Sequence, residues 1–84
     1  MLVQAPPILS ASVDVHLRES DFAEALEEIQ HRHPTIEIGS YPFNRDGRFG
    51  ATLVSRGTDR ALLAKVVEEI VAAMTKLGGE THVL

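Results

Sequence analysis

An α+β two-layer sandwich is predicted for this chain from two observations. Two short stretches alternate apolar and polar residues with a period of two and two more read as a returning and a terminal strand, while two longer stretches carry apolar residues at three- and four-residue spacing. Their order is strand, helix, strand, strand, helix, short strand. An Asp46-Gly47 pair between the second and third strand stretches has the composition of a tight hairpin turn. With 84 residues the chain makes one domain, whose thin core buries roughly 60% of the unfolded chain's surface.

The first strand is read over Leu9 to Leu17. Leu9, Ala11, Val13, Val15 and Leu17 fall on one face, and Ser10, Ser12, Asp14 and His16 on the other. Ser20 and Asp21 offer oxygens to the free N–H groups of a helix start, with Glu24 at capping-box spacing from Asp21. That helix is expected over Phe22 to His33. Phe22, Leu26 and Ile29 form its apolar stripe, Glu24, Glu27, Glu28 and Arg32 its wet face, and Pro34 its stop.

Thr35 to Tyr41 alternates again, with Ile36 and Ile38 inward, and Pro42 is expected to end regular pairing because it has no N–H. The returning strand is Phe49 to Arg56. Ala51 and Leu53 are its inward pair, although Val54 leaves the register open. Thr58 or Asp59 then caps a long helix bearing Leu63, Val66, Val67, Ile70, Val71, Met74 and Leu77. Gly78-Gly79 closes it, and Thr81 to Leu84 forms a short edge strand. Right-handed crossovers then place both helices on one face of a mostly antiparallel sheet, which is the β-α-β-β-α-β ferredoxin-like arrangement.

Met1 to Pro7 lacks periodicity and reads as a linker or lead-in, and residues 8–84 as a single domain excised from a larger protein. No apolar run approaches the roughly 20 residues of a membrane span, and the start lacks an export signal, so a cytoplasmic setting is expected. The absence of cysteine excludes disulfides, thiolate metal sites and cysteine nucleophiles. Twelve acidic against eight basic residues, a net charge of -4, argue against nonspecific nucleic-acid binding, which gains affinity by neutralising phosphates.

No group of residues has the makings of an active site. His31 and His33 are two apart at a helix end, where a turn of about 200° separates the rings and directs them to solvent. His16 and His82 approach only if the first and last strands pair, and without a third ligand no metal or cofactor is assigned. Asp14 and His16 share the polar face of the first strand, which is expected to be solvated or covered by another domain. Glu24, Glu27, Glu28, Glu68 and Glu69 are read as surface carboxylates. Gly47-Arg48-Phe49-Gly50 has the letters of the G-x-x-G nucleotide clamp of K-homology domains, but that loop joins helices, and here the glycines serve a hairpin. The serines lack a nucleophile-elbow context. Arg18 and Asn44 are the nearest candidates for an acyl-phosphatase-like anion site, without the glycine-rich cradle it needs.

The hairpin nevertheless gathers Tyr41, Phe43, Arg45, Arg48, Phe49 and Arg56, a mixture that stacks bases or anchors a protein partner. These six residues are the candidate contact surface.

The runs His-Pro-Thr-Ile-Glu-Ile-Gly-Ser-Tyr-Pro-Phe from His33 to Phe43, Gly-Arg-Phe-Gly from Gly47 to Gly50, and Arg-Gly-Thr-Asp from Arg56 to Asp59 carry a resemblance over about Pro7 to Gly79. They resemble the small K-homology-like domain that follows the molybdopterin-binding-like domain in the competence/damage-inducible CinA family. The related part of eukaryotic FAD synthases has a similar hairpin. The resemblance implies a parent with nucleotide pyrophosphatase or NMN amidase activity in its other domains, and it transfers no active-site residue to this chain.

The reading is a non-catalytic interaction domain, packing on a neighbouring domain of its parent or on a second copy. The alternative is a nucleotide or single-stranded nucleic-acid binding module using the 41–56 hairpin.

Overall fold

A computed structural model describes residues 6–84, so of the lead-in expected over 1–7, residues 1–5 lie outside the described residues. The elements are β1 (Leu9–Val15), α1 (Glu19–Arg32), β2 (Glu37–Arg45), β3 (Arg48–Gly57), α2 (Arg60–Lys76) and β4 (Thr81–Val83). They build one four-stranded sheet in the order β2-β3-β1-β4, and every neighbouring pair is antiparallel. Read from the other edge, this order is that of two interleaved β-α-β units, with both helices packed on one face: the ferredoxin-like sandwich the periodicities predict.

The core lies between that face and the helices. Val13 and Val15 from β1, with Ala51 and Leu53 from β3, meet Phe22 and Ile29 of α1 and Leu63, Val66, Ile70 and Met74 of α2. The register Val13↔Leu53 and Val15↔Ala51 settles the open question for β3 in favour of the Ala51 and Leu53 face. Val54 opposes Ser12 on the outer face. Ser55 joins the inner set, and its buried hydroxyl has no hydrogen-bond partner among the described residues.

Several boundaries differ from expectation for local reasons. α1 starts at Glu19 rather than Phe22. Asp21 is the third helical residue, and its carboxylate accepts from the Arg18 N–H at 3.2 Å, so it caps from inside the first turn. β2 does not end at Pro42 but runs through it to Arg45, because β2 is an edge strand and a proline nitrogen turned outward breaks no ladder bond. Asp59 caps α2 by accepting from the Leu62 N–H at 3.1 Å.

At the other end of α2, Gly78 takes φ +86°. The Gly78 and Gly79 N–H groups return to the Thr75 and Met74 carbonyls, both at 2.9 Å, completing a Schellman cap. Asp46 and Gly47 turn the hairpin with φ of 52° and 79°, the left-handed pair of a two-residue type I′ turn.

Two side-chain networks tie the helices down. Gln30 donates to the His33 and Ile36 carbonyls and accepts from the Ile38 N–H at 2.9 Å, fastening the α1–β2 connection. Glu69 of α2 takes Arg32 at 2.8 Å and His33 at 2.7 Å from the end of α1. This corrects the reading of Glu69 and His33 as solvated. Only 11% of the His33 side chain is exposed, because the helix–helix contact closes over it. His31 remains on the surface.

Candidate functional site at the hairpin end of the open sheet face

The helices leave one sheet face uncovered. Alternation from the paired registers puts Ser10, Ser12, Asp14 and His16 on it, opposite Arg56, Val54 and Thr52 of β3, with Tyr41, Phe43 and Arg45 from β2. β1 pairs with β3 only as far as Val15↔Ala51. The pairs Phe43↔Gly50, Asn44↔Phe49 and Arg45↔Arg48 therefore project beyond it as a two-stranded arm.

Asp14 is the most constrained residue of this face. It is only 4% exposed within the domain itself, where the sequence leads to a face either solvated or covered by another domain. Thr52 Oγ1 donates to one of its oxygens at 2.6 Å, and Arg45 Nη1 donates to the other at 2.8 Å. The Thr52 hydrogen bond, aided by Arg45, outweighs burial and holds the Asp14 carboxyl below its ordinary range. The Arg45 guanidinium also lies 4.1 Å from the centre of the Phe43 ring. Phe43 meets the His16 ring edge-on, with centroids 5.6 Å apart.

Beside this group, the pairing of β1 with β4 brings His82 opposite Asp14 and to 6.3 Å from His16, centroid to centroid. Glu80 joins them: its Oε1 lies 3.3 Å from His82 Nε2, and its Oε2 accepts from Arg48 at 2.8 Å. Arg48 is the chief cause of the lowered Glu80 pKa. The third residue that the sequence reading lacked is thus present. Its signal was the spacing Glu80-Thr81-His82, which puts both side chains on one face of an extended segment.

The six residues of the expected contact surface do not form one patch. Tyr41 is 53% exposed on the open face, its ring over Gly39. Phe43, Arg45 and Arg48 cluster near the arm, with both arginines already held by carboxylates. Phe49, 59% exposed, points to the opposite side, where Arg18 lies 5.7 Å from its ring centre. Arg56 sits at the far end of β3, about 27 Å from Arg48 along a strand rising ~3.4 Å per residue. There it lines a shallow depression with Ile8, Ser10 and Glu37. Arg18 stands at the N-cap position of α1 and Asn44 in β2 opposite Phe49, and neither brings a glycine-rich anion cradle with it.

Fold and face define a small sandwich domain with an exposed sheet and a projecting arm. The family model described as FAD synthase, middle domain, matches residues 7–78, and the chain belongs to this family. The expected CinA membership, with its molybdopterin-binding-like parent, is overturned by that match. In this chain the glycines and aromatics that carry the resemblance serve a tight turn and a ring packed on bare backbone, which are structural needs of a hairpin and do not mark one family. The pyrophosphatase and amidase activities attached to the CinA reading find no support in that match.

No curated protein matches the chain. Among solved structures, the de novo designed protein Foldit4 superposes with a TM-score of 0.76 at 18% identity, covering 93% of this chain and 94% of that one. A C-terminal segment of the alpha subunit of aIF2 from Pyrococcus abyssi gives 0.54 at 18% identity, covering 93% of this chain and 50% of that one. At such identities these likenesses describe the fold. Among the described residues no helix is long and apolar enough to cross a membrane.

Proposed function

We propose that this chain is a non-catalytic interaction domain of an FAD synthase-type protein, and that it packs through the projecting arm and open sheet face against a neighbouring domain of its parent. The observation that carries this is the arm itself. Three residue pairs extend past the end of β1, with Phe49 59% exposed on the helix side of the arm and Tyr41 53% exposed on the open face, apolar surface that a neighbour would cover. The description of the family as a middle domain supplies flanking domains as natural occupants. A cytoplasmic setting fits a domain that uses no disulfide of its own.

Nucleotide or single-stranded nucleic-acid binding has less support. Arg45 and Arg48 are already neutralised by Asp14 and Glu80, and the chain carries a net charge of -4. Amide hydrogen exchange on the isolated chain and on the intact parent tests the proposal. Protection of residues 41–49 gained only in the parent supports it. Equal exchange in both overturns it, as does concentration-dependent self-association through the same residues, which would make a second copy the partner. Salt-sensitive shifts with RNA at residues 41–56 would establish the alternative.

A further inference from the structure

We infer that His16, Glu80 and His82 form a divalent-metal site of the zinc class at the junction of β1, β4 and the arm. One ligand atom from each lies within 4.8 Å of the others. Zinc bound tetrahedrally at 2.0–2.1 Å separates its ligand atoms by about 3.3 Å. The Glu80 Oε1 to His82 Nε2 distance is already 3.3 Å, so only His16 has to close in.

Two further contacts prepare these ligands. The Phe49 carbonyl lies 3.1 Å from His16 Nδ1, so a proton on Nδ1 is donated there and the lone pair is left on Nε2. Arg48 holds Glu80 Oε2, orienting the carboxylate while leaving Oε1 for a metal. Carbonyl-to-histidine and arginine-to-carboxylate contacts of this kind set tautomer and aim in metal sites. Two imidazoles and a carboxylate suit zinc, nickel or copper better than magnesium or calcium, which favour oxygen ligands. The three protein ligands leave a fourth position open to water or to a donor from a partner.

The bound ion would staple the three-residue β4 to the central β1, since His16 follows β1 and His82 lies within β4. The test is a calorimetric titration of the metal-stripped chain with zinc chloride, with parallel NMR of the imidazole protons. One equivalent is expected to bind saturably and to shift the His16 and His82 signals while those of His31 stay in place. His82→Ala should weaken binding at least about tenfold and His31→Ala leave it unchanged. The inference is overturned by no saturation below about 1 mM zinc, by equal shifts of all the histidines, or by binding that His82→Ala leaves intact. His82 is exposed, so its replacement leaves the fold intact, and the wild-type NMR result decides independently of any variant.

Discussion

The Phe43 ring occupies the space where Gly50, its cross-strand partner, would carry a side chain. A Cβ built on Gly50 would meet Phe43 Cζ at 2.5 Å and the Val15 carbonyl oxygen at 2.6 Å. The backbone oxygen cannot rotate aside, so the glycine is required by packing on both of its flanks. Gly50→Ala is expected to destabilise the domain by about 1–3 kcal/mol through overpacking, read as a lowered urea midpoint. Phe43→Ala combined with Gly50→Ala should cost less than the sum of the two single changes; strict additivity would refute the ring-over-glycine account.

The buried Asp14 makes stability depend on acid. The pKa values of Asp14 and Glu69 lie below their ordinary values in the folded state, through Thr52 with Arg45 and through Arg32 with His33 respectively. Their contribution is therefore fully present above the unfolded carboxylate range of about 3.9–4.3, and is lost as pH falls through the depressed folded values. Urea unfolding at a series of pH values should show stability dropping below about pH 4.5. Asp14→Asn should flatten that drop while lowering stability at neutral pH. A variant as acid-sensitive as the parent would remove Asp14 from the explanation.

Thr52→Val leaves a buried Asp14 oxygen without its shortest hydrogen bond. A loss of about 1–3 kcal/mol is expected, the range for orphaning a buried polar group. It is checked by thermal unfolding at neutral pH, and an unchanged midpoint would contradict the geometry.

Ser55 presents the reverse case. Its hydroxyl is buried at 1% exposure on the core side of β3 and finds no partner among the described residues. Ser55→Ala removes a polar atom that gains nothing from its surroundings, so stability should rise by about 1 kcal/mol. A destabilised variant would mean that the hydroxyl has a partner after all.

Gln30→Ala releases three backbone groups at once: the Ile38 N–H and the carbonyls of His33 and Ile36. At about 0.5–1.5 kcal/mol for each net hydrogen bond, a loss of about 1.5–4.5 kcal/mol follows. Amide exchange should accelerate at Ile38 more than at residues of β3, and uniform acceleration would argue for general destabilisation instead.

What the sequence made legible was the local part of the structure. Leu63, Val66, Ile70 and Met74 declare α2 by their spacing, and Asp46-Gly47 declares the turn, because each signal is complete within a few residues. The burial of Asp14 was hidden because its partners arrive 31 and 38 positions later, on strands whose register no short window fixes. Glu69 was hidden likewise, joined to residues 36 and 37 positions away. Pro42 was misread as a terminator because its tolerance depends on β2 being an edge, a property of the whole sheet. The period of two along β3 separates Phe49 from Arg48, so the division of the candidate surface between two faces follows from strand geometry alone.

Gln30 and Pro42 together have a consequence for how this sheet can grow. Ile38 and Pro42 share the parity that turns backbone nitrogens outward along β2. One of those nitrogens is already engaged and the other carries no hydrogen, which leaves a broken row of donors for any incoming strand. The β2 border is thereby a poor template for lengthening the sheet, because a strand laid against it would meet two outward nitrogens that cannot donate to it.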